Sequence, residues 1–128
     1  MTLDEFNAFC AALPATTHVV QWGGSQVWKV GGKVFAIGSG DAAALRVTFK
    51  VSPLSYELLQ EQSGLRSAPY LASRGLKWIQ QHAQPGLTDD ELRAYLRRAH
   101  EIVAQGLSRK RRVELGLEPI AGGRGMAS

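Results

Sequence analysis

Apolar and polar residues alternate cleanly along the chain between residues 45 and 51. Successive side chains of an extended strand face opposite ways, so each set lies on its own side. One set is apolar: Leu45, Val47, Phe49 and Val51. The other set is polar or basic: Arg46, Thr48 and Lys50. The segment therefore predicts a strand with one face in a core and one cationic face.

Two further β-rich runs, about 26–30 and 33–37, are joined by Gly31-Gly32. Both glycines can adopt a positive φ, which a tight hairpin requires, so the pattern predicts a two-residue hairpin. That register places Trp28 opposite Phe35 as a cross-strand pair. A strand from about 18 to 22 precedes the hairpin and ends at Gly23-Gly24, and residues 38–41 read as a second turn.

Helix-start signals occur at three places along the chain. Thr2 with Glu5, and Thr88 with Glu91, have the capping-box spacing. The first predicts a helix over about 3–13, with Cys10 as an inert thiol on its buried stripe. The second predicts a long final helix whose apolar stripe runs to Leu107 and whose end carries the basic run 109–112.

A shorter helix is predicted where Ser52 precedes Pro53, with Ser as N-cap and Pro at the first helical position. Leu54, Leu58 and the flanking Leu59 are expected to supply its buried side, and Gly64 to follow its end. Residues 65–75 lack periodicity and read as a loop, and residues 76–80 read as one more strand.

The order of helix, strands, helix, strand and helix predicts an α+β fold, an antiparallel sheet with helices packed on its apolar face. We expect one domain over residues 1–113 and a flexible glycine-rich tail over 114–128.

The 128 residues carry a net charge of +4, and much of the basic excess falls in residues 109–112. Such a run favours phosphate-rich partners, although the solvated end of a helix also prefers cations. One cysteine permits no disulfide framework and favours a reducing cytoplasm. The start of the sequence does not resemble a signal peptide, and no stretch approaches the ~20 apolar residues of a membrane span.

Five segments taken in order resemble the MmcQ/YjbR family over about residues 2–113: 29–36, 46–53, 68–70 leading to 77–79, 89–92 and 107–110. The resemblance implies a small bacterial α+β domain similar to the frataxin-like (CyaY-like) sandwich. It also implies DNA binding, for which a double-wing mode is proposed in the family. Lys29, Lys33 and Lys50 stand where the family has its lysines.

The candidate nucleic-acid site combines the cationic sheet face, the hairpin and the basic run. Its members are Lys29, Lys33, Arg46, Thr48, Lys50, Arg74, Lys77, Arg109, Lys110, Arg111 and Arg112. Lysine and arginine would contact phosphates, and Thr48 could donate a hydrogen bond. No base-reading module is recognisable, so we expect weak, salt-sensitive binding to DNA with little sequence preference. The alternative is that lysines on an exposed sheet keep it soluble and block edge pairing.

Other function classes have less support in the sequence. His18, His82 and His100 are far apart and lie in no catalytic motif, so we expect no enzyme, cofactor or metal. The acids that a frataxin-like iron site would need reduce here to Asp4 and Glu5. A protein- or ligand-binding adaptor that uses the Tyr70/Trp78 region remains the second hypothesis. Trp22, Trp28, Tyr70 and Trp78 are candidates to line a pocket, although aromatic residues at such places more often belong to a core. In either case we expect a monomer or a weak homodimer.

Overall fold

The computed structural model describes residues 1–40, 45–69 and 76–117. Within these ranges six strands form one antiparallel sheet in the order β1-β2-β3-β4-β6-β5. The strands are β1 (Thr16–Gln21), β2 (Ser25–Val30), β3 (Lys33–Ser39), β4 (Arg46–Lys50), β5 (Leu65–Ser67) and β6 (Trp78–Gln81). The helices are α1 (Leu3–Ala12), α2 (Pro53–Leu59), α3 (Asp89–Gln105) and α4 (Arg109–Glu114). The predicted α+β class and antiparallel sheet are confirmed.

The hairpin between β2 and β3 turns at Gly31 and Gly32, whose φ angles are 60° and 82°. The pairing nearest the turn is the predicted one, but the register shifts by one residue beyond Lys29, at a β-bulge. Trp28 consequently pairs with Ala36, and the predicted pair of Trp28 with Phe35 is wrong. A bulge places two consecutive residues against one, which allows both Phe35 and Ala36 to be fully buried.

Strand β4 has the predicted parity on its apolar side. Val47 and Phe49 are buried in the main core, and the Phe49 ring lies 5.9 Å from the Tyr95 ring of α3. In the register of the sheet, Val47 pairs with Gly38 and Phe49 with Ala36. These residues form the core face of the central strands, which α3 contacts.

Gly38 lies inside β3 and not in the predicted turn over residues 38–41, of which Asp41 is outside the described residues. The Phe6 ring of α1 packs directly on its backbone: a Cβ at position 38 would be 2.5 Å from Phe6 Cε2. Glycine is required here because a helix side chain occupies the space of a strand side chain. The contact sets the distance between α1 and the sheet.

Both capping boxes are present, and α1 buries Phe6 and Cys10 as predicted. The prediction for α2 is correct in its Ser52 cap and its Pro53 start, but only partly correct in its buried side. Leu59 is buried as predicted, whereas Leu54 and Leu58 are exposed. Tyr56 packs beside Leu59 against the core. In this short segment nearly every face carries an apolar residue, so periodicity could not select the buried one.

Two more boundaries differ from the prediction. The long helix ends at Gly106, and Ser108 starts the separate helix α4 by accepting the backbone N–H of Arg111. The basic run therefore forms its own helix, because Leu107 between the two helices turns into the core. The predicted loop over residues 65–75 contains the three-residue strand β5, which is too short to show a period.

The packed chain continues beyond residue 113, since Leu117 is buried against the core. The rest of the predicted tail, residues 118–128, lies outside the described residues.

His100 of α3 is buried between the sheet and the chain that follows α1. Its ring meets the Phe35 ring edge-on at 5.4 Å, and its Nε2 donates to the Pro14 carbonyl oxygen at 2.7 Å. Burial lowers the pKa of His100 below the ordinary value of 6.5, although the Pro14 carbonyl and Glu101 favour the charged form. The fold therefore favours the neutral form of this histidine.

We predict that the free energy of unfolding falls as pH drops below 6.5, because the unfolded chain then takes up a proton that folded His100 resists. Urea unfolding between pH about 5 and about 8 measures it. His100→Gln should cost about 1–2 kcal/mol at neutral pH and flatten the profile. The matched control is His82→Gln, at an exposed position. An unchanged profile in His100→Gln would contradict the assignment.

Candidate nucleic-acid interface

Acidic and basic residues are segregated between the helices and the sheet. The six strands contain five basic residues, Lys29, Lys33, Arg46, Lys50 and Arg66, and no acidic one. The described acids lie in the four helices, apart from Glu61, which follows α2. Ion pairs of the described residues are likewise confined to the helices and the amino terminus. No described carboxylate therefore neutralises a cation of the sheet.

Four of the five cations share one side of the sheet, which we call the basic face: Lys29, Arg46, Lys50 and Arg66. Each alternates with a core residue of its own strand, such as Trp28 beside Lys29 and Leu65 beside Arg66. Arg46 and Arg66 are exposed, and Lys29 and Lys50 are half-buried. Lys33 pairs with buried Val30 and so belongs to the opposite side, at the end of the hairpin.

The middle of the basic face is buried, contrary to the expectation that Thr48 emerges beside Arg46 and Lys50. Val27 is fully buried and Thr48 is 6% exposed. The Thr48 hydroxyl accepts a hydrogen bond from Gln80 Nε2 at 3.2 Å. Thr48 is thus a structural partner of β6, and the cations lie around a closed centre.

Gln80 links Thr48 to Arg66, a cation that sequence reasoning missed. Arg66 donates to Gln80 Oε1 from Nε at 3.0 Å and from Nη2 at 2.6 Å. This series of hydrogen bonds joins residues that are paired in the sheet, because Gln80 of β6 lies opposite Thr48 of β4 and Arg66 of β5. Because the amide is neutral, it orients the guanidinium without compensating its charge. The alternation of buried Leu65 with exposed Arg66 would have placed this arginine on the polar side of a strand. A strand of three residues, however, cannot be recognised from sequence alone.

Lys33 and Lys50 line a cleft of about 300 Å³ at the neighbouring ends of β3 and β4. Trp78 and the last turns of α3, at Ile102 and Val103, complete its wall. Two lysines beside a tryptophan in one cleft suit a small anion. The structure therefore brings together two of the family lysines that the sequence singled out.

The remaining candidate cations lie elsewhere. Lys77 Nζ is 4.6 Å from the centre of the Tyr56 ring, in a cation–π contact. Arg109 and Lys110 are exposed on α4. On the same helix, Arg111 Nη1 lies 3.6 Å from Glu114 Oε1 in an ion pair. Arg112 Nη1 donates to the Leu107 carbonyl and so fixes the turn between α3 and α4. Arg74 lies outside the described residues.

Among the residues that the structure describes, Trp22, Trp28 and Trp78 do not line one shared pocket, as the adaptor hypothesis expects. Trp28 is in the core and donates from Nε1 to Asn7 Oδ1 at 2.9 Å, whereas Trp78 lines the lysine cleft. Trp22 is exposed in the turn between β1 and β2, outside the strand predicted for it. Tyr70 is not among the described residues.

The described part of the chain offers few groups for metal binding or thiol chemistry. There, no three His, Cys, Asp or Glu side chains converge as metal ligands would. Burial raises the pKa of the Cys10 thiol to about 12, which suppresses the reactive thiolate and agrees with the predicted inert role. Among the described helices, none has the length and apolar content needed to cross a bilayer.

A family model described as YjbR matches residues 11–102. The chain belongs to the YjbR family. This confirms the resemblance drawn from the sequence. The matched segment contains the whole sheet and α2, and therefore every cation of the basic face together with Lys33 and Lys77. The basic helix α4 lies beyond the matched segment, so the family model gives no support for a role of that basic run.

Two solved structures share the fold. A Deinococcus radiodurans protein, DR2400, whose domain is designated DUF419, is 24% identical with a TM-score of 0.78, and the match covers 98% of this chain and 96% of that one. A Pseudomonas syringae protein is 17% identical with a TM-score of 0.63 and coverages of 80% and 98%. No curated protein matches the sequence. At these identities the structures support the architecture of this YjbR protein and not a shared activity.

Proposed function

We propose that this YjbR protein binds DNA through the basic face, as a binding protein and not as an enzyme. The observation that supports this is the segregation of charge: five cations and no acid in the six strands. A surface with one sign of charge attracts the phosphate backbone and releases its counterions. Cations dispersed among acids would lose most of that attraction.

Arg66 is the best-prepared phosphate ligand on the face. Holding a long side chain in one orientation costs conformational entropy, and the two hydrogen bonds to Gln80 meet that cost before a ligand arrives. The charge stays available because the partner is an amide. Arg46 and Lys50, four residues apart on β4, extend the same row of cations over about 13 Å.

The arrangement of the cations favours contact with the sugar-phosphate backbone of DNA over recognition of its bases. The cations surround a buried centre, and within residues 1–40, 45–69 and 76–117 the face presents no helix or strand that could enter a groove as a recognition element. We therefore expect modest affinity and little sequence preference. Exposed Arg109 and Lys110 on α4 can add further phosphate contacts.

Replacing Lys29 and Lys50 together by alanine tests the face directly. The plot of log K against log salt for duplex DNA should lose about 1.8 in slope, at about 0.9 for each phosphate contact. The matched control is Arg93→Ala with Arg98→Ala on α3, which removes the same charge from residues paired with Asp90 and Glu101. Equal losses in both double variants would mean that only net charge matters, and a parent that binds no duplex at low salt would overturn the proposal.

Gln80→Glu offers a nearly isosteric test. The carboxylate can keep both hydrogen bonds from Arg66 and accept one from the Thr48 hydroxyl, so the fold should be unchanged or more stable. The guanidinium charge is then compensated, and duplex affinity at low salt should fall several-fold. Fluorescence anisotropy measures the affinity and thermal unfolding the stability. Unchanged affinity with an intact fold would remove Arg66 from the interface.

The cleft of Lys33 and Lys50 supports a second candidate, binding of a small anion. Calorimetry with inorganic pyrophosphate tests it, since a charge-assisted hydrogen bond is worth about 1.5–3 kcal/mol. Lys33→Ala should weaken binding about tenfold or more, whereas Arg46→Ala, outside the cleft, should leave it unchanged. Absence of binding heat with the parent protein would exclude this candidate.

A further inference from the structure

Trp22 occupies a position that neither packing nor backbone preference explains. Its side chain is 65% exposed, whereas Trp28 and Trp78 are 5% and 8% exposed. Its φ of 51° lies in the left-handed region, which a bulky residue rarely adopts. Gly23 and Gly24 follow with φ of 74° and 97°, so a three-residue turn holds the indole out from the end of β1. Strained, exposed positions of this kind concentrate at binding sites.

The turn forms one wall of a concavity of about 480 Å³. Arg46 at the start of β4 lies in the same concavity, together with Ser25 and Ser39. The register of the sheet explains why these residues lie close together. Ser25 pairs with Gln21 at the turn, and Ser39 pairs with Arg46. An exposed aromatic ring, a guanidinium that no described carboxylate pairs with, and two hydroxyls therefore share one hollow at the edge of the basic face.

We propose that Trp22 and Arg46 form a subsite for one unpaired nucleotide of a single-stranded nucleic acid, an inference that rests on the proposed nucleic-acid function and specifies its ligand. The base stacks on the indole, and the phosphate binds the guanidinium with the hydroxyls beside it. Stacking needs a free base face, which duplex neighbours cover. The subsite thus selects strand ends, loops or unwound segments.

The geometry also separates this role from a structural one. Trp22 contributes little to the core, and its backbone conformation suits asparagine better than tryptophan. Trp22→Asn should therefore unfold at the same temperature as the parent or a higher one. A residue kept for stability would show the opposite change.

Anisotropy with labelled oligothymidine, oligouridine and a blunt-ended duplex, which has no unpaired nucleotide, tests the subsite. Trp22→Asn should weaken binding to a single strand about tenfold, Trp22→Phe should retain most of it, and neither should change duplex binding. Leu58→Ala, at another side chain that is 65% exposed, is the control and should change nothing. The two single strands distinguish DNA from RNA, and weaker binding of the Asn variant to either supports the subsite.

Tryptophan fluorescence gives a second readout, because Trp22 is the exposed one of the three tryptophans. A bound base should quench the parent, and quenching should vanish in Trp22→Asn. Single-strand affinity that is unchanged in Trp22→Asn overturns the subsite. So does a parent that binds duplex but not single strands, which leaves the proposed function intact; a parent that binds neither overturns both.

Discussion

The burial of Val47 and Phe49 in β4 is the constraint on which the rest of the structure depends. Both side chains lie in the core between the sheet and the helices, and they fix which way every residue of this central strand points. A shift of one residue would drive Lys50 into the core and expose Phe49, at a cost of several kcal/mol. The register of β3 and β6 follows by hydrogen bonding, and with it the positions of Gly38, Gln80 and Arg66. The cationic side of the sheet is thus a consequence of how the apolar side packs.

Local signals were sufficient for much of the fold. Capping boxes, the Gly31-Gly32 turn and the alternation in β4 predict α1, the start of α3, the hairpin and the central strand, because each depends on neighbours in sequence. The bulge at Phe35 and the glycine at position 38 depend on α3 and α1, which press on the sheet from distant parts of the chain. The same holds for Leu107, whose turn into the core divides the final helix. Such features need tertiary contacts to be seen.

In the candidate site, too, some residues could be predicted from local pattern and others depend on tertiary contacts. Parity alone placed Lys29, Arg46 and Lys50, and the structure keeps them on one side of the sheet. Parity could not show that Thr48 is buried, since burial depends on what surrounds a residue. Arg66 was hidden in a three-residue strand, and its importance lies in a contact with Gln80 across the sheet. Trp22 was predicted at the end of a strand and as one of the residues that line a pocket, and only its turn geometry reveals its exposure.

The distribution of cations argues against protection from aggregation as their main purpose. Charges that block pairing between sheets belong on edge strands, where backbone groups are free. In the described sheet, the edge strand β1 carries no lysine, arginine or acid, whereas Arg46 and Lys50 lie on β4, which has a hydrogen-bonded partner on each side. Arg66 is on the other edge, but Gln80 holds it in place, and a charge kept for solubility gains nothing from being held. A fixed guanidinium and cations on an inner strand, with no acid among the strands, support the proposal that this surface binds phosphates.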